Sequence, residues 1–430
     1  MAEYGLSTVI TGDNVLTKSD LVRQKHLDNG FGGMIFSLDY KKEAWDISLG
    51  GGANCYDGHH FGKVVWVKNY AGDTHFYPDH EYYRSKAKKT DANTYLKINY
   101  QLNTQWNFYA DLQYRLIDYK IEGQNSVWDW QTGEMQRLDI HEKFHFFNPK
   151  AGIFYQINPQ HRLFASLAVG NREPNRNNYT DANPGEMPRP ERLYDYEAGY
   201  QFNNSLLTAG VNLYYMLYKD QLVLTGKVNE IGEMLTSNIP DSYRMGIELT
   251  AGVQICKELQ WNGNLTLSRN RIKAFTESVD LYVQRDPADE DSYEWSGQVD
   301  NFLGDTPVSF SPGIMAGSLF SFRKSSWNAG LQTSYVGRQY IDNTGSDDRK
   351  LNPYLINNLR IGHTFQLKGV RSLAVNLQIN NLFDEKYESN AWVYSSYSQP
   401  ANSTTLYRND DFGFFPQAGI NVMGSVIVKF

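Results

Sequence analysis

Residues 106–116 read WNFYADLQYRL, and apolar and polar side chains alternate along this stretch. The apolar set is Trp106, Phe108, Ala110, Leu112, Tyr114 and Leu116. An alternation with a period of two is typical of a β-strand that presents one apolar face. The same alternation recurs along the chain, for example at residues 373–379, and it predicts an all-β, antiparallel fold.

The composition excludes several classes of protein. The chain has 430 residues with a formal charge of -7, and its mean hydropathy is -0.55. It contains no run of about 18 apolar residues, so we expect no transmembrane helix. Lysine and arginine form no patch large enough to predict nucleic-acid binding. The 2 cysteines are too few for a disulfide framework.

The alternating segments come in pairs joined by short turns. We count about fifteen strands, each about ten or more residues long, which is long enough to cross a membrane at a tilt. They are residues 30–40, 45–54, 92–102, 105–119, 143–157, 162–170, 191–202, 205–219, 242–255, 259–272, 307–322, 326–341, 352–367, 371–383 and 416–430.

The connections between these strands alternate between short and long. The long ones are polar and cover residues 55–91, 120–142, 171–190, 220–241, 273–306, 342–351 and 384–415. Bacterial outer-membrane barrels sort their connections in this way, with short periplasmic turns and long extracellular loops. The sequence therefore predicts an antiparallel transmembrane β-barrel in the outer membrane of a Gram-negative bacterium.

The chain ends on an apolar strand, AGINVMGSVIVKF at residues 418–430. Its terminal aromatic residue, Phe430, resembles the signal that the barrel-assembly machinery recognises. The first and last predicted strands run in the same direction, whereas a bacterial barrel closes with an even number of strands. We therefore expect an incomplete barrel, with residues 1–29 as the remnant of an extracellular loop and residues 30–430 as the C-terminal part of the barrel.

Two motifs resemble those of the TonB-dependent outer-membrane receptors, in particular the Bacteroidetes branch. Residues 164–202 contain GNREP, NNYTD and EAGY in order, and residues 380–390 read NNLFDEKYESN. The residues that match the family pattern in the first motif are Gly170, Arg172, Glu173, Pro174, Tyr179, Glu197 and Gly199. The resemblance covers roughly residues 30–430.

The resemblance implies a barrel of about 22 strands around a plug. The plug domain and the first strands would then be absent from this chain. It further implies active import of a scarce solute, with energy delivered by the TonB complex, and neither catalysis nor a resident cofactor. We expect an iron complex, a siderophore or haem, as the solute. Import of cobalamin or of an oligosaccharide, and a passive porin, stay open as alternatives.

Candidate solute-binding residues lie in two of the predicted loops. His59, His60, His75 and His80 fall between residues 55 and 91, close to Tyr70 and Tyr77. Imidazole is a good ligand for iron, so this segment could grip an iron chelate or haem. A solvated loop with packed aromatic rings is the alternative. In the GNREP loop, the candidates are Arg172 and Tyr179.

Two further patterns have simpler interpretations. Residues 141–145 read HEKFH, which matches a zinc-protease motif that requires both histidines on one helical face. The surrounding residues predict a strand, in which residues four apart lie about 13 Å from each other, too far to share one zinc ion. Residues 286–300 are acidic but lack the spacing of a calcium loop, and they predict a solvated loop.

Overall fold

The computed structural model describes residues 1–11, 14–69, 80–129, 132–182, 187–228 and 232–430. Almost all of the regular structure in these residues is β-strand, as the sequence predicts. The strands are β1 (Val9–Thr11), β2 (Asn14–Leu16), β3 (Leu21–Lys42), β4 (Trp45–Val67), β5 (His80–Gln101), β6 (Trp106–Asp129), β7 (Glu134–Asn158), β8 (His161–Arg172), β9 (Glu191–Asn203), β10 (Leu207–Val228), β11 (Met234–Cys256), β12 (Leu259–Gln284), β13 (Tyr293–Pro307), β14 (Ile314–Lys324), β15 (Trp327–Val336), β16 (Gln339–Tyr340), β17 (Lys350–Leu351), β18 (Tyr354–Phe365), β19 (Ser372–Asn380), β20 (Glu388–Gln399), β21 (Tyr407–Pro416) and β22 (Asn421–Lys429).

Two short helices complete the described elements. One is a 3-10 turn at Ala2–Tyr4, and the other is α1 at Arg176–Thr180. Among the described residues, neither helix nor any other is long and apolar enough to span a bilayer. Asn175 caps α1, because its side chain accepts a hydrogen bond from the Asn178 amide and the Asn178 side chain accepts one from the Asn175 amide.

The chain divides into two compact units. Unit 1 holds residues 1–100 and 109–149, and unit 2 holds residues 101–108 and 150–430. In unit 1, β3, β4 and β5 pair in sequence order, all antiparallel. In unit 2, antiparallel pairing follows the order β7, β8, β9, β10, β11, β12, β14, β15, β18, β19 and β22.

Each of the predicted strands lies on an observed strand, but the predicted boundaries at the loop ends are wrong. β4 continues to Val67 and β5 already begins at His80, so much of the predicted loop 55–91 is strand. The two strands stay in register there, with Asp57 opposite Lys88 and His59 opposite Lys86. The backbone hydrogen bonds between two strands form whether the paired side chains are polar or apolar. The strands therefore continue past the point where the apolar alternation ends.

The other predicted loops differ from the structure in the same way. β3 begins at Leu21, inside the segment expected to be a loop remnant, and most of the predicted loop 220–241 belongs to β10 and β11. The two-residue strand β17, all of β20 and almost all of β13 and β21 also lie in segments predicted as loops. β13 pairs with β12, and β20 pairs with both β21 and β12.

One face of the unit 2 sheet is apolar and exposed. On β10 and β11, Leu213 lies opposite Ile247 and Val211 lies opposite Leu249, and all four side chains are exposed large hydrophobic groups. Soluble proteins rarely expose such a continuous apolar surface to water. It has the character of a surface that faces lipid.

Aromatic rings gather at the short-turn ends of the strands. In unit 1, the ring centroids of Trp45 and Tyr100 lie 4.3 Å apart. In unit 2, Trp106 pairs with Tyr155 at 4.3 Å, and Trp327 packs edge-on against His363 at 4.5 Å. Aromatic side chains in this position are typical of the girdle that marks a membrane–water interface.

The same arrangement of side-chain hydrogen bonds closes two of the short turns. Asn103 Oδ1 accepts hydrogen bonds from the amides of Gln105 and Trp106, and Gln101 Nε2 donates to the Asn103 carbonyl oxygen. Asn158 and Gln156 repeat this arrangement after β7. An asparagine side chain that accepts backbone N–H groups replaces the hydrogen bonds that a tight turn cannot make for itself. The sequence signal is the recurring Gln-x-Asn.

Candidate solute-binding site

The loop ends of unit 2 enclose a cavity of about 610 Å³. Its walls come from six places in the chain: α1 with the residues after it, β10 with β11, β12, β13, residues 342–344 and β20. A cavity of this size falls within the range of small-molecule sites, which run from about 300 to about 1,000 Å³. Because this cavity also lies at the strand ends where the sequence predicts extracellular loops, we take it as the candidate site.

Uncharged hydrogen-bonding groups dominate the polar lining of the cavity. They are Asn178, Thr225, Thr236, Ser237, Asn238, Thr276, Ser278, Gln298, Asn343, Thr344 and Ser395. Some of these groups also build the walls, since Asn343 Nδ2 donates to the Leu224 carbonyl oxygen at 2.8 Å. Hydroxyl and amide groups both donate and accept, so this lining suits a solute that carries many hydrogen-bonding groups.

Most charged groups of the lining are neutralised by neighbours behind the wall. Arg189 pairs with Asp220 at 2.7 Å, and Lys227 lies 3.9 Å from Asp280. Glu277 and Asp342 also line the cavity, and both contact a buried arginine, Arg349, at 3.0 and 2.7 Å. The cavity therefore offers few unbalanced charges to a solute.

Arg349 is the centre of a buried ion-pair cluster. Its side chain is only 4% exposed, and its Nη2 donates to both carboxylate oxygens of Asp410 at 2.8 Å. Arg408 completes the cluster by donating to both oxygens of Glu277. We call Glu277, Asp342, Arg349, Arg408 and Asp410 the Arg349 cluster. Three carboxylates and two guanidinium groups leave it with one excess negative charge.

Two acids of the cluster, Glu277 and Asp410, have lowered pKa values. Burial alone would raise the pKa of Glu277, but hydrogen bonds from Arg408 and Arg349 outweigh it and lower that pKa below its ordinary value. The pKa of Asp410 is lowered against burial in the same way, by hydrogen bonds from Ser395 and Arg349. Close by, burial raises the pKa of the Tyr394 hydroxyl, and its contacts with Tyr282 and Asp280 add to the effect.

A second cavity of about 970 Å³ lies nearer the short turns of unit 2. Its lining includes Thr208, Thr250, Asn264, Ser318 and Gln332, together with several glycines. Thr208, Thr250 and Asn264 lie on the face of the sheet opposite Val211, Leu249 and Leu267. The polar side chains that line this cavity are uncharged.

The structure describes five of the eight candidate residues predicted from the sequence. His59 and His60 lie within β4 and His80 begins β5, so their placement in a loop is wrong. His59 lies 3.7 Å from Asp57, and His80 Nε2 is 3.0 Å from the Tyr4 carbonyl oxygen. All three belong to unit 1. Tyr70, His75 and Tyr77 lie outside the described residues.

Arg172 and Tyr179 lie in unit 2, beside the smaller cavity but not in its lining. Tyr179 is buried in α1, next to Asn178, which does line the cavity. Arg172 pairs with Glu191 at 3.0 Å, and Glu191 accepts a hydrogen bond from the amide of Leu222, a lining residue. Both residues therefore support the wall of the cavity.

The metal-binding patterns find no counterpart in the described part of the chain. No group of three or more histidine, cysteine or acidic residues there could hold a metal ion. His141 and His145 lie on β7, as the extended reading of HEKFH predicts, and contact Asp118 and Tyr114. In the acidic segment, the carboxylates of Asp286 and Asp289 accept backbone hydrogen bonds within the turn between β12 and β13.

The Arg349 cluster is a feature that the sequence alone does not reveal. Residues 342–351 were predicted as a polar loop, and Arg349 is one of several charged residues in it. Its partner Glu277 lies 72 residues away, and Arg408 lies 131 residues from Glu277. The pairing of β12 with β20, and the packing of Ile341 and Leu351 against Ala391 and Val393, bring these segments together. An isolated sequence contains no signal for that pairing.

Solved structures of outer-membrane receptors resemble the chain. The ferric yersiniabactin uptake receptor FyuA from Yersinia pestis is 14% identical, with a TM-score of 0.58 over 98% of this chain and 56% of that one. The copper transporter OprC is 14% identical, with a TM-score of 0.66 over 94% and 57%. The siderophore receptor PiuA from Acinetobacter baumannii is 11% identical, with a TM-score of 0.61 over 94% and 56%.

These structures share the fold, and the chain spans a little over half of the length of each. A search of curated proteins finds no match. A family model described as "TonB dependent receptor-like, beta-barrel" matches residues 4–382, which is most of the sequence. The chain therefore belongs to the family of TonB-dependent receptor-like β-barrels.

Proposed function

We propose that the chain belongs to a receptor that actively imports a scarce solute across the outer membrane. The observation that carries this proposal is the family match over residues 4–382. In the proposed mechanism, the solute binds at the loop ends and the TonB complex supplies the energy for import. The exposed apolar face of the sheet lies against the bilayer.

Family membership settles two general points. TonB-dependent receptors are outer-membrane proteins of Gram-negative bacteria, so this chain is an outer-membrane protein. They are transporters and not enzymes. Phe430 is exposed at the end of the chain, and we propose that the barrel-assembly machinery recognises it.

As the solute we propose an iron complex, either a siderophore or haem. Two of the similar structures support this choice by their printed descriptions: FyuA is a ferric yersiniabactin uptake receptor, and PiuA is a siderophore receptor. We infer that the cavity of about 610 Å³ contributes to the binding site. Arg172 and Tyr179 support its wall, while the predicted ligand roles of His59, His60 and His80, and of Tyr70, His75 and Tyr77, stay predictions.

A neutral oligosaccharide is the second candidate. The specific observation in its favour is the lining of the cavity, in which hydroxyl and amide groups are abundant and most charges are paired. A sugar presents many neutral donors and acceptors, which such groups can satisfy. An anionic iron chelate would meet fewer unpaired cations there.

The test is radioactive iron uptake by the full-length gene product. Iron-starved cells that express it should accumulate iron from a suitable ferric complex, and deletion of TonB should abolish the accumulation. Growth on an oligosaccharide with no iron uptake would shift the proposal to the second candidate. Uptake that does not depend on TonB, together with rapid swelling of liposomes that contain the protein, would identify a passive porin and overturn active import.

A further inference from the structure

Three separate segments of unit 2 meet at the side chain of Arg349. Glu277 comes from β12, Asp342 from the loop that contains Arg349 itself, and Asp410 from β21. Two of these carboxylates, those of Glu277 and Asp342, also line the smaller cavity, whereas Arg349 does not. Arg349 therefore lies outside the cavity and connects two of its walls, the one that contains Glu277 and the one that contains Asp342.

The third carboxylate, that of Asp410, connects Arg349 to a hairpin formed by β20 and β21. Residues Asp280–Val283 of β12 pair in parallel with Ser396–Gln399 of β20, whereas the strand pairings of unit 2 described above are antiparallel. Tyr394 donates to Asp280 at 3.3 Å and lies 3.1 Å from the hydroxyl of Tyr282. On the cavity side, the hairpin contributes Val393 and Ser395 to the lining.

The packing around Gly226 shows how closely these segments fit. This glycine has a φ of +87°, and a Cβ at its position would lie 2.9 Å from the Ile341 carbonyl oxygen and 3.0 Å from Val393 Cγ1. The end of β10, the loop at Ile341 and β20 therefore touch one another. Displacing the hairpin would open the cavity on this side.

The energetics make Arg349 decisive for this arrangement. Buried carboxylates are tolerated only when a partner and hydrogen bonds compensate for lost hydration. Without the guanidinium group of Arg349, Glu277 and Asp410 would keep Arg408 as their partner in the cluster, whereas Asp342 would lose its ion pair there. The mutual repulsion of the three carboxylates would be relieved most easily by undocking the β20–β21 hairpin, which carries both Asp410 and Arg408.

We propose that Arg349 is a positioning residue that holds the β20–β21 hairpin against β12 and so shapes the solute cavity before a solute binds. The structural part of this proposal is independent of the solute. Its consequence for uptake rests on the proposed function.

Hydrogen exchange of the full-length protein in detergent tests the structural part directly. Arg349→Met should speed exchange in peptides covering residues 388–416 by about a hundredfold, because one partner of a buried charge cluster is lost. Exchange in β9 and in the turn-side half of β10 should not change. The matched control is Arg338→Met, because Arg338 is a half-exposed arginine with a 3.6 Å pair to Asp347. The control should exchange like the wild type.

Two further variants keep the test decisive. Arg349→Lys keeps the charge but loses the planar set of donors, so it should restore only part of the protection. If Arg349→Met fails to assemble, Asp410→Asn removes only the hairpin's carboxylate and should produce a smaller increase in the same peptides. The proposal is overturned if assembled Arg349→Met exchanges residues 388–416 at the wild-type rate. If Arg349→Met does not assemble, wild-type exchange of these residues in Asp410→Asn overturns it.

Uptake of a ferric complex by the same variants separates the two levels of the proposal. If wild-type protein takes up iron, Arg349→Met should raise the half-saturating concentration and Arg338→Met should not. If the wild type takes up no iron complex, the proposed solute is wrong, and the exchange result still stands. If exchange rises at residues 388–416 but iron uptake is unchanged, Arg349 does not shape the solute site.

Discussion

The turn-side half of unit 2 and its loop ends are built on different principles. The turn-side half consists of long antiparallel ladders with apolar side chains on one face and small polar side chains on the other. At the loop ends, short apolar clusters such as Ile341, Leu351, Ala391 and Val393 pack beside buried ion pairs. The ladders repeat from strand to strand, whereas each loop contact occurs once.

The turn-side half therefore has a general structural role, whereas the loop ends have a specific one. A ladder tolerates substitution as long as each residue keeps the character of its face, since neighbouring backbone groups provide the hydrogen bonds. The loop contacts depend on particular partners far apart in sequence. We therefore expect mutations in the wall to act on membrane insertion, and mutations at the loop ends to act on the solute site.

The largest effect should follow from a charge on the lipid-facing side of the wall. Leu213→Arg places a cation on the exposed apolar face of β10 and should destabilise the protein by about 2–4 kcal/mol. Urea unfolding in lipid vesicles, followed by gel mobility, would measure the change. Asn212→Arg is the matched control, because Asn212 lies on the opposite face, where its amide contacts Glu248. Equal destabilisation by both variants would contradict the assignment of faces.

A smaller and local effect is expected at the loop ends. Asp342→Asn replaces a buried carboxylate that contacts Arg349 at 2.7 Å by a neutral amide. A hydrogen bond to a charged group contributes about 1.5–3 kcal/mol, so the local opening energy at residues 342–351 should fall by about that amount. Hydrogen exchange would detect it. Loss of protection throughout the wall would show that the two regions are not separable.

The acid sensitivity of the loop ends should also differ from that of the wall. The pKa values of Glu277 and Asp410 are lowered in the folded protein, so both groups stabilise it above their unfolded pKa values, which are about 4.3 and 3.9. This stabilisation is lost as the pH falls through the lower folded values. Exchange rates at residues 388–416, corrected for intrinsic pH dependence, should stay constant from about pH 7 to about pH 5. They should rise in stronger acid.

The smallest effect is expected at the HEKFH segment. His141→Ala with His145→Ala removes two exposed side chains of β7 whose partners are Asp118 and Tyr114. Exposed pairs of this kind contribute about 0–1 kcal/mol, and no metal group includes them among the described residues. Uptake by the double variant should equal that of the wild type. A large loss of uptake would reveal a role that the extended strand does not explain.

The predictability of the two regions follows the same division. The period of two at residues 106–116 and its repeats correctly predicted the strands of the wall, because each strand meets the same environment on each face. The polar continuations of β4 and β5 were mistaken for a loop, because their pairing does not depend on an apolar face. The cavity and Arg349 could not be predicted, since they depend on the docking of β20 against β12.

The most direct test of the role of the cavity is solute uptake by a variant that fills it. Ser237 is exposed and lines the cavity from β11, so Ser237→Trp adds a large ring there. Ser205→Trp, at an exposed short-turn position of the same unit, is the control for a new surface tryptophan. In full-length receptors assembled to equal levels, Ser237→Trp should abolish most uptake of the iron complex, and Ser205→Trp should not. Wild-type uptake by Ser237→Trp would contradict the assignment of this cavity as the solute-binding site.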